Sequence, residues 1–362
     1  METLRIVEAN PTYIPYFGGI ERRMHFIAHN LAKMGHDVTV LSAQFPDTKA
    51  EEDTEYGYRI VRVPSKFINL YNPPYISSKG ALDILNKIDP DIMNYNYRWA
   101  PSFDKDMANF SGKKVFTYHN QWGEGVGYQH FFSNINDNWY KKKLDRYDHI
   151  VAVAENIRTD LINRGYSPDK VTTIEYGLES VPERATEEKD FILNLGRLVP
   201  TKGLEYLIEA MQYVDQKLVL CGTGPEEKKL RKLVRKYGLE DRVEFRGFVE
   251  EEEKEELMRT CKFFVMPSLF ETYGLAALEV ISYGKPIVCT DVNGLPDNVQ
   301  DAGYFVKPRD AKGLADAMNA LLADPEMRRR KSDAGVRIAH SRTAEVQTKM
   351  VEDLYYRILN NE

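Results

Sequence analysis

No stretch of this sequence reaches the roughly 18 consecutive apolar residues of a membrane-crossing helix. The opening METLRIVEANPTYIPYF has neither a basic leader segment nor a long apolar core, so a cytoplasmic protein is expected. Cysteine is scarce. Cys221, Cys261 and Cys289 are odd in number, share no metal-ligand spacing and lie in or beside apolar runs, which leaves reduced, buried thiols as the expectation. An excess of one charge is missing too: 55 acidic and 49 basic residues give a formal net charge of -6 spread over both halves, which argues against nucleic acid as the main partner. There is no complete G-x-G-x-x-G, so a nicotinamide dinucleotide is not implied.

What is present fits two domains. A chain of 362 residues exceeds what one hydrophobic core usually organises, and 43% hydrophobic with 29% charged residues is an ordinary globular composition. Short β-branched runs alternate with helical patterns, the sign of parallel sheets covered by helices on both faces. LRIVEA, DVTVLS, YRIVRV, DIMNYN, KVFTYH, HIVAVA and VTTIEY read as strands of a first half; FILNLG, KLVLCG, VEFRGF, FFVMPS and PIVCTD read as strands of a second. The polar GLESVPERATEEKD between them reads as a linker. The expected domains are residues 1–180, residues 181–340 and a C-terminal helix over 341–362.

Ligands of open α/β sheets bind outside the carboxyl ends of the strands, so the loops there carry the functional reading. Gly18 and Gly19 stand between the first strand and its helix, where backbone can approach an anion; a tight turn explains the pair equally well. Arg197 and Lys202 flank a short strand-to-helix loop. A planar fork of donors and a mobile point charge would together suit a diphosphate. In 267-PSLFETYGLAALEVISYGKPIV-288, Glu271 precedes a turn, a helix begins near Gly274 or Leu275, and Glu279 follows. Bare amides at that helix start can face a phosphate, and two carboxylates can accept from hydroxyls on one ligand.

This combination resembles the retaining glycosyltransferases of family 4, which have the GT-B fold of two Rossmann-like, doubly wound α/β domains facing across a cleft. The resemblance rests on Gly196-Arg197 with Lys202-Gly203, on Gly222-Thr223-Gly224-Pro225 and on Glu271-Thr-Tyr-Gly274-Leu-Ala-Ala-Leu-Glu279, in that order along the chain. It implies transfer of a hexose from a nucleotide-diphosphate sugar (a UDP-sugar or GDP-mannose) to a hydroxyl, with the anomeric configuration retained. Arg197 and Lys202 would bind the donor diphosphate, Gly274 and Leu275 would offer it amides, Glu279 would hold the ribose and Glu271 the transferred sugar. Gly18, Gly19 and Gly222 would approach the donor through backbone, His119 would match the family's histidine near the donor sugar, and Phe248 a position beside the base. The resemblance implies no metal and no cofactor. Asp89-Pro-Asp91 sits at the wrong end of a parallel strand for a metal clamp, and Asp104-Lys-Asp106 lacks further ligands. The chain departs from the family's usual form at Ala154-Glu155, at Tyr176-Gly177-Leu178-Glu179 and at Asn293-Gly294-Leu295-Pro296-Asp297.

A glycan or lipid-linked acceptor is expected on the first half. There, residues 118–143 combine Gly123, Gly125 and Gly127 with Trp122, Tyr128, Phe131 and Phe132, which serve a stacking loop or a packed core equally well. Lys141, Lys142 and Lys143 beside Trp139 and Tyr140 suit peripheral contact with an anionic membrane face or a solvated helix face. The closing segment 340–362 has apolar positions Val346, Met350, Val351, Leu354 and Ile358; by the resemblance it crosses back onto the first domain. Two other readings share the plan: a non-hydrolysing sugar-nucleotide epimerase, and a non-catalytic nucleotide-sugar-binding subunit of a transferase complex.

Overall fold

The computed structural model describes residues 2–16, 18–68, 75–120, 122 and 128–361, and the chain forms two compact units. The first comprises Met1–Glu179 with Ala344–Glu362, the second Ser180–Thr343.

In the first unit the strands are β1 (Arg5–Ala9), β2 (Asp37–Ala43), β3 (Glu51–Asp53), β4 (Arg59–Val63), β5 (Ser65–Ile68), β6 (Tyr75–Ser78), β7 (Ile92–Tyr95), β8 (Lys113–Tyr118), β9 (His149–Ala152) and β10 (Val171–Thr173). Eight of them make one sheet in the order β10-β9-β8-β7-β1-β2-β4-β3, parallel except for β3 at its edge; β5 and β6 pair as a separate hairpin. The central strands are buried on both faces, as strands covered by helices on each side must be. Helix Gly19–Lys33 buries Met24, Ile27, Ala28 and Leu31 in a cluster with Ile6, Val38 and Val40. Helix Ala344–Leu359 adds Val351, Leu354, Tyr355 and Ile358 to that cluster.

In the second unit β11 (Phe191–Leu195), β12 (Lys217–Cys221), β13 (Val243–Gly247), β14 (Phe264–Met266), β15 (Ile287–Thr290) and β16 (Gly303–Val306) form an all-parallel sheet in the order β13-β12-β11-β14-β15-β16. This is the Rossmann strand order, with the chain reversing its direction of winding between β11 and β14. Ile192, Leu218, Val265 and Val288 of the sheet pack with Leu207, Val234, Leu314 and Met318 of its helices. Cys221, Cys261 and Cys289 are buried free thiols, and burial pushes that of Cys261 up to about 12.

Three features differ from the sequence reading. The edge strands β3 and β16 and the β5–β6 hairpin lack long β-branched runs, and backbone pairing to a neighbour makes them strands. Helix Pro325–Ser341 runs past residue 340, so the last helix starts at Ala344, whose amide donates to the Leu178 carbonyl (2.6 Å). Of its expected apolar face, Val346 and Met350 are exposed: the buried stripe is Val351, Leu354, Tyr355 and Ile358, at i, i+3, i+4 and i+7.

A pH dependence follows from His149 at the start of β9. Its Nε2 lies 2.8 Å from Thr172 Oγ1, and burial, helped by Arg357 and Lys170, pushes its pKa down to about 4. The unfolded chain takes up this proton near pH 6.5, the folded chain only near 4. His149 therefore removes stability as the pH falls through that window and has no further effect below it. In urea unfolding series from pH 7 to 4, His149→Gln should fall less steeply than the wild type; parallel curves would contradict this.

Candidate functional site

The switch point of the second sheet is where the motif residues gather. Arg197 follows β11 and is exposed, with no hydrogen bond or ion pair to its guanidinium among the described residues. Lys202 ends the short turn Pro200–Lys202. Glu271 lies in the loop after β14, on the other side of the switch point. The two loops are tied by backbone: the amides of Leu269 (2.8 Å) and Phe270 (3.2 Å) both donate to the Thr201 carbonyl. That clamp brings Lys202 Nζ onto Glu271 Oε2 as an ion pair whose side chains are 23% and 15% exposed. Ser268 Oγ donates to the same carboxylate oxygen at 3.5 Å.

Glycine is required at Gly222 by close approach and at Gly274 by its backbone conformation. Gly222 has φ 128°, and a Cβ there would stand 1.9 Å from the Gly196 carbonyl oxygen, so the loops after β11 and β12 can meet only at a glycine. Gly274 has φ 84°, and a Cβ would come 2.6 Å from Leu295 Cδ2. It is the residue before helix Leu275–Ser282, whose first amides lack intrahelical acceptors. Asn298 braces this turn by donating to the carbonyls of Tyr273 (2.8 Å) and Gly274 (2.9 Å), a buried support that the sequence reading did not single out. One turn into the helix, Glu279 Oε2 lies 3.4 Å from Lys254 Nζ. Phe248, just past β13, is 72% exposed.

In the first unit the turn at Gly18 and Gly19 is already filled by a carboxylate. Glu21, itself buried, accepts from the Gly18 amide (2.9 Å) and from Asn10 Nδ2 (3.2 Å), so the Gly18 amide is not open to an anion. His119 follows β8 and is 7% exposed. Its Nε2 lies 3.0 Å from Asn96 Oδ1 and its Nδ1 2.6 Å from the Tyr176 hydroxyl. With the Asn96 amide donating to Glu8 (3.0 Å), Asn96 Oδ1 must accept from Nε2–H, and Nδ1 accepts from Tyr176. Burial, with Arg23 and Arg98 nearby, holds His119 well below the ordinary imidazole range, so the ring is neutral. Tyr176 is one of the positions at which the sequence departs from the family 4 form.

Behind His119 lies a polar core that the sequence reading missed. Glu8, fully buried in β1, accepts from Asn94 (2.8 Å), Asn96 (3.0 Å) and, from the C-terminal helix, Tyr355 (2.6 Å). Arg23 is 2% exposed, and no hydrogen-bond partner for its guanidinium nitrogens occurs among the described residues. The available signal was a carboxylate inside an apolar strand, LRIVEA, with asparagines at alternate positions of DIMNYN.

Asp89 and Asp91 are held by Arg5 (3.3 and 3.7 Å) at the entry of the strands, as the wrong-end argument requires. Asp104 is buried, accepts from Tyr95 (2.6 Å), and burial raises its pKa to about 6. Among the described residues no group of three His, Cys, Asp or Glu side chains is placed to hold a metal ion, and no helix is long and apolar enough to cross a membrane. Gly123, Gly125 and Gly127, and the side chains of Tyr128, Phe131 and Phe132, lie outside the described residues, whereas Trp122 is buried beneath Arg164 (4.6 Å). Trp139 is 80% exposed but Tyr140 is buried. Of the three lysines, Lys141 donates to the Arg164 carbonyl (3.0 Å), Lys143 reaches Asp104 (3.8 Å), and Lys142 is exposed.

Comparison with known proteins bears on the whole chain. Residues 17–180 match the model of Glycosyltransferase Family 4, and residues 179–337 that of Glycosyl transferases group 1. Alpha-D-kanosaminyltransferase of Streptomyces kanamyceticus is 34% identical over 154 residues, 41% of this chain and 40% of that protein. O-antigen chain mannosyltransferase C of Escherichia coli is 26% identical over 345 residues, 89% of this chain and 90% of that protein. The structure of Anabaena HepE in complex with UDP-glucose superposes with a TM-score of 0.76 at 18% identity, covering 98% of this chain and 99% of the other. With these two models over its two units and Rossmann-like sheets in both, this chain belongs to the GT-B glycosyltransferases of the family 4 type.

Proposed function

We propose that the protein transfers a hexose, with retention of configuration, from a nucleotide-diphosphate sugar to a hydroxyl of a glycan or lipid-linked acceptor. The observation that carries this reading is the assembly at the switch point: Arg197, unpaired among the described residues, Lys202 with Glu271, and the amides beginning helix Leu275–Ser282. Arg197 and Lys202 would hold the diphosphate and stabilise the charge gathering on its leaving oxygen, which removes the need for a metal. Gly274 and Leu275 would contribute backbone amides, Glu279 would take the ribose hydroxyls and Glu271 those of the sugar. Gly222 would keep the neighbouring loop close, and the exposed Phe248 ring would meet the base. In the first unit His119 serves this reading as a neutral, fixed group, since both ring nitrogens are engaged.

HepE was solved with UDP-glucose, and the E. coli relative is named a mannosyltransferase; these make a UDP-sugar and GDP-mannose the two donor classes to try first. For a lipid-linked acceptor, exposed Trp139 and Lys142 would lie at an anionic membrane face. Calorimetric titration with UDP, GDP, ADP and their common hexose conjugates tests the donor site. One nucleotide class should bind at micromolar to sub-millimolar concentration, and failure of all of them would sink the proposal.

A further inference from the structure

The pairing of Lys202 with Glu271 has consequences for what the site does between turnovers. Both residues belong to the proposed donor site, and their ion pair neutralises both charges. The contact is built in. The two donations to the Thr201 carbonyl hold the loops together whatever the side chains do, and the pair is mostly screened from water. Arg197, in the loop that leads to Lys202, has no such partner among the described residues. Of these two cations, Arg197 is without an ion-pair partner among the described residues, whereas Lys202 must leave Glu271 before it can bind a phosphate.

We infer that Glu271 is an internal competitor of the diphosphate for Lys202, and that this makes the site discriminate the loaded donor from the spent nucleotide. The inference rests on the proposed donor site. A nucleotide-diphosphate sugar separates the pair but compensates both members: phosphate oxygens take the ammonium, and sugar hydroxyls donate to the freed carboxylate. A bare nucleoside diphosphate compensates only Lys202. It leaves Glu271 half-buried, without its cation and beside new negative charge, which is unfavourable. Once the sugar has left for the acceptor, Glu271 loses its hydroxyl donors and recaptures Lys202, which weakens the hold on the product. The same carboxylate that orients the sugar then speeds nucleotide release.

The test compares wild type, Glu271→Gln and Lys202→Ala by calorimetry with the nucleoside diphosphate and with its hexose conjugate. Removing the carboxylate charge should tighten bare nucleoside diphosphate by about fivefold, as expected for loss of a partly exposed competing ion pair. The sugar conjugate should bind no tighter than to wild type, so the preference for loaded donor shrinks by about the same factor. Product inhibition by the nucleotide should strengthen in step. Glu271→Ala is the second variant: it should give the same tightening for the bare nucleotide and lose the sugar contacts entirely. Bare nucleotide binding no more tightly to either variant than to wild type would overturn the inference, while loss of binding in Lys202→Ala would leave the donor site standing. Unchanged nucleotide binding in Lys202→Ala would overturn the donor site itself and the inference with it.

Discussion

Lys202→Ala is expected to lower kcat/KM by about 10²- to 10³-fold, the cost of removing one preorganised donor from a developing oxyanion. Arg197→Ala should cost less. Its guanidinium is exposed, where water screens the charge, whereas the Lys202 side chain is only 23% exposed and acts at lower effective dielectric. Stability should hardly change, because a partly exposed ion pair contributes about 1 kcal/mol at most and the backbone clamp at Thr201 survives the substitution. Steady-state kinetics with the donor found by calorimetry, together with a thermal melt, checks both halves of the expectation. Turnover within a factor of about three of wild type would remove Lys202 from the reacting diphosphate, since a tenfold change already corresponds to 1.4 kcal/mol.

The switch-point geometry explains why this part of the site could be read from sequence. Arg197, Lys202, Glu271, Gly274 and Glu279 all follow strands that are unmistakable apolar runs, and in a doubly wound sheet the loops after such strands converge. The contact between Lys202 and Glu271 could not be read, because the residues are 69 positions apart and meet only if β11 and β14 are neighbours. His119 shows the same limit. Its position after β8 was legible, but its partners Asn96 and Tyr176 lie 23 and 57 positions away, on different loops. The neutrality of the ring is a property of that packing rather than of local sequence. The strand β16 was missed because GYFV is too short to stand out, and the choice at Gly18 between an anion approach and a tight turn stayed open because Glu21, which takes its amide, reads as an ordinary first-turn acid.

The polar core around Glu8 makes the largest demand on stability. Glu8→Leu should destabilise the protein by about 3–5 kcal/mol, the usual cost of deleting one side of a buried charge arrangement. Three donors, on Asn94, Asn96 and Tyr355, would lose their acceptor at once. The deeper cost comes from Arg23, a guanidinium that stays protonated at any working pH and has no hydrogen-bond partner among the described residues. Burial raises the Glu8 pKa on balance, only partly offset by the Tyr355 and Asn96 hydrogen bonds, the charge of Arg23 and the Asn94 hydrogen bond. Glu8 and Arg23 thus influence each other through their electrostatic field, with no hydrogen bond between them among the described residues. A Glu8→Leu, Arg23→Met double variant should therefore recover part of the loss, since well-packed apolar residues often replace a buried ion pair at little cost. Equilibrium urea unfolding of the single and double variants measures that coupling. A double variant destabilised by the sum of the two single effects would show that Glu8 and Arg23 act independently. A double variant more stable than Glu8→Leu alone would establish that Arg23 is coupled to the Glu8 carboxyl behind His119.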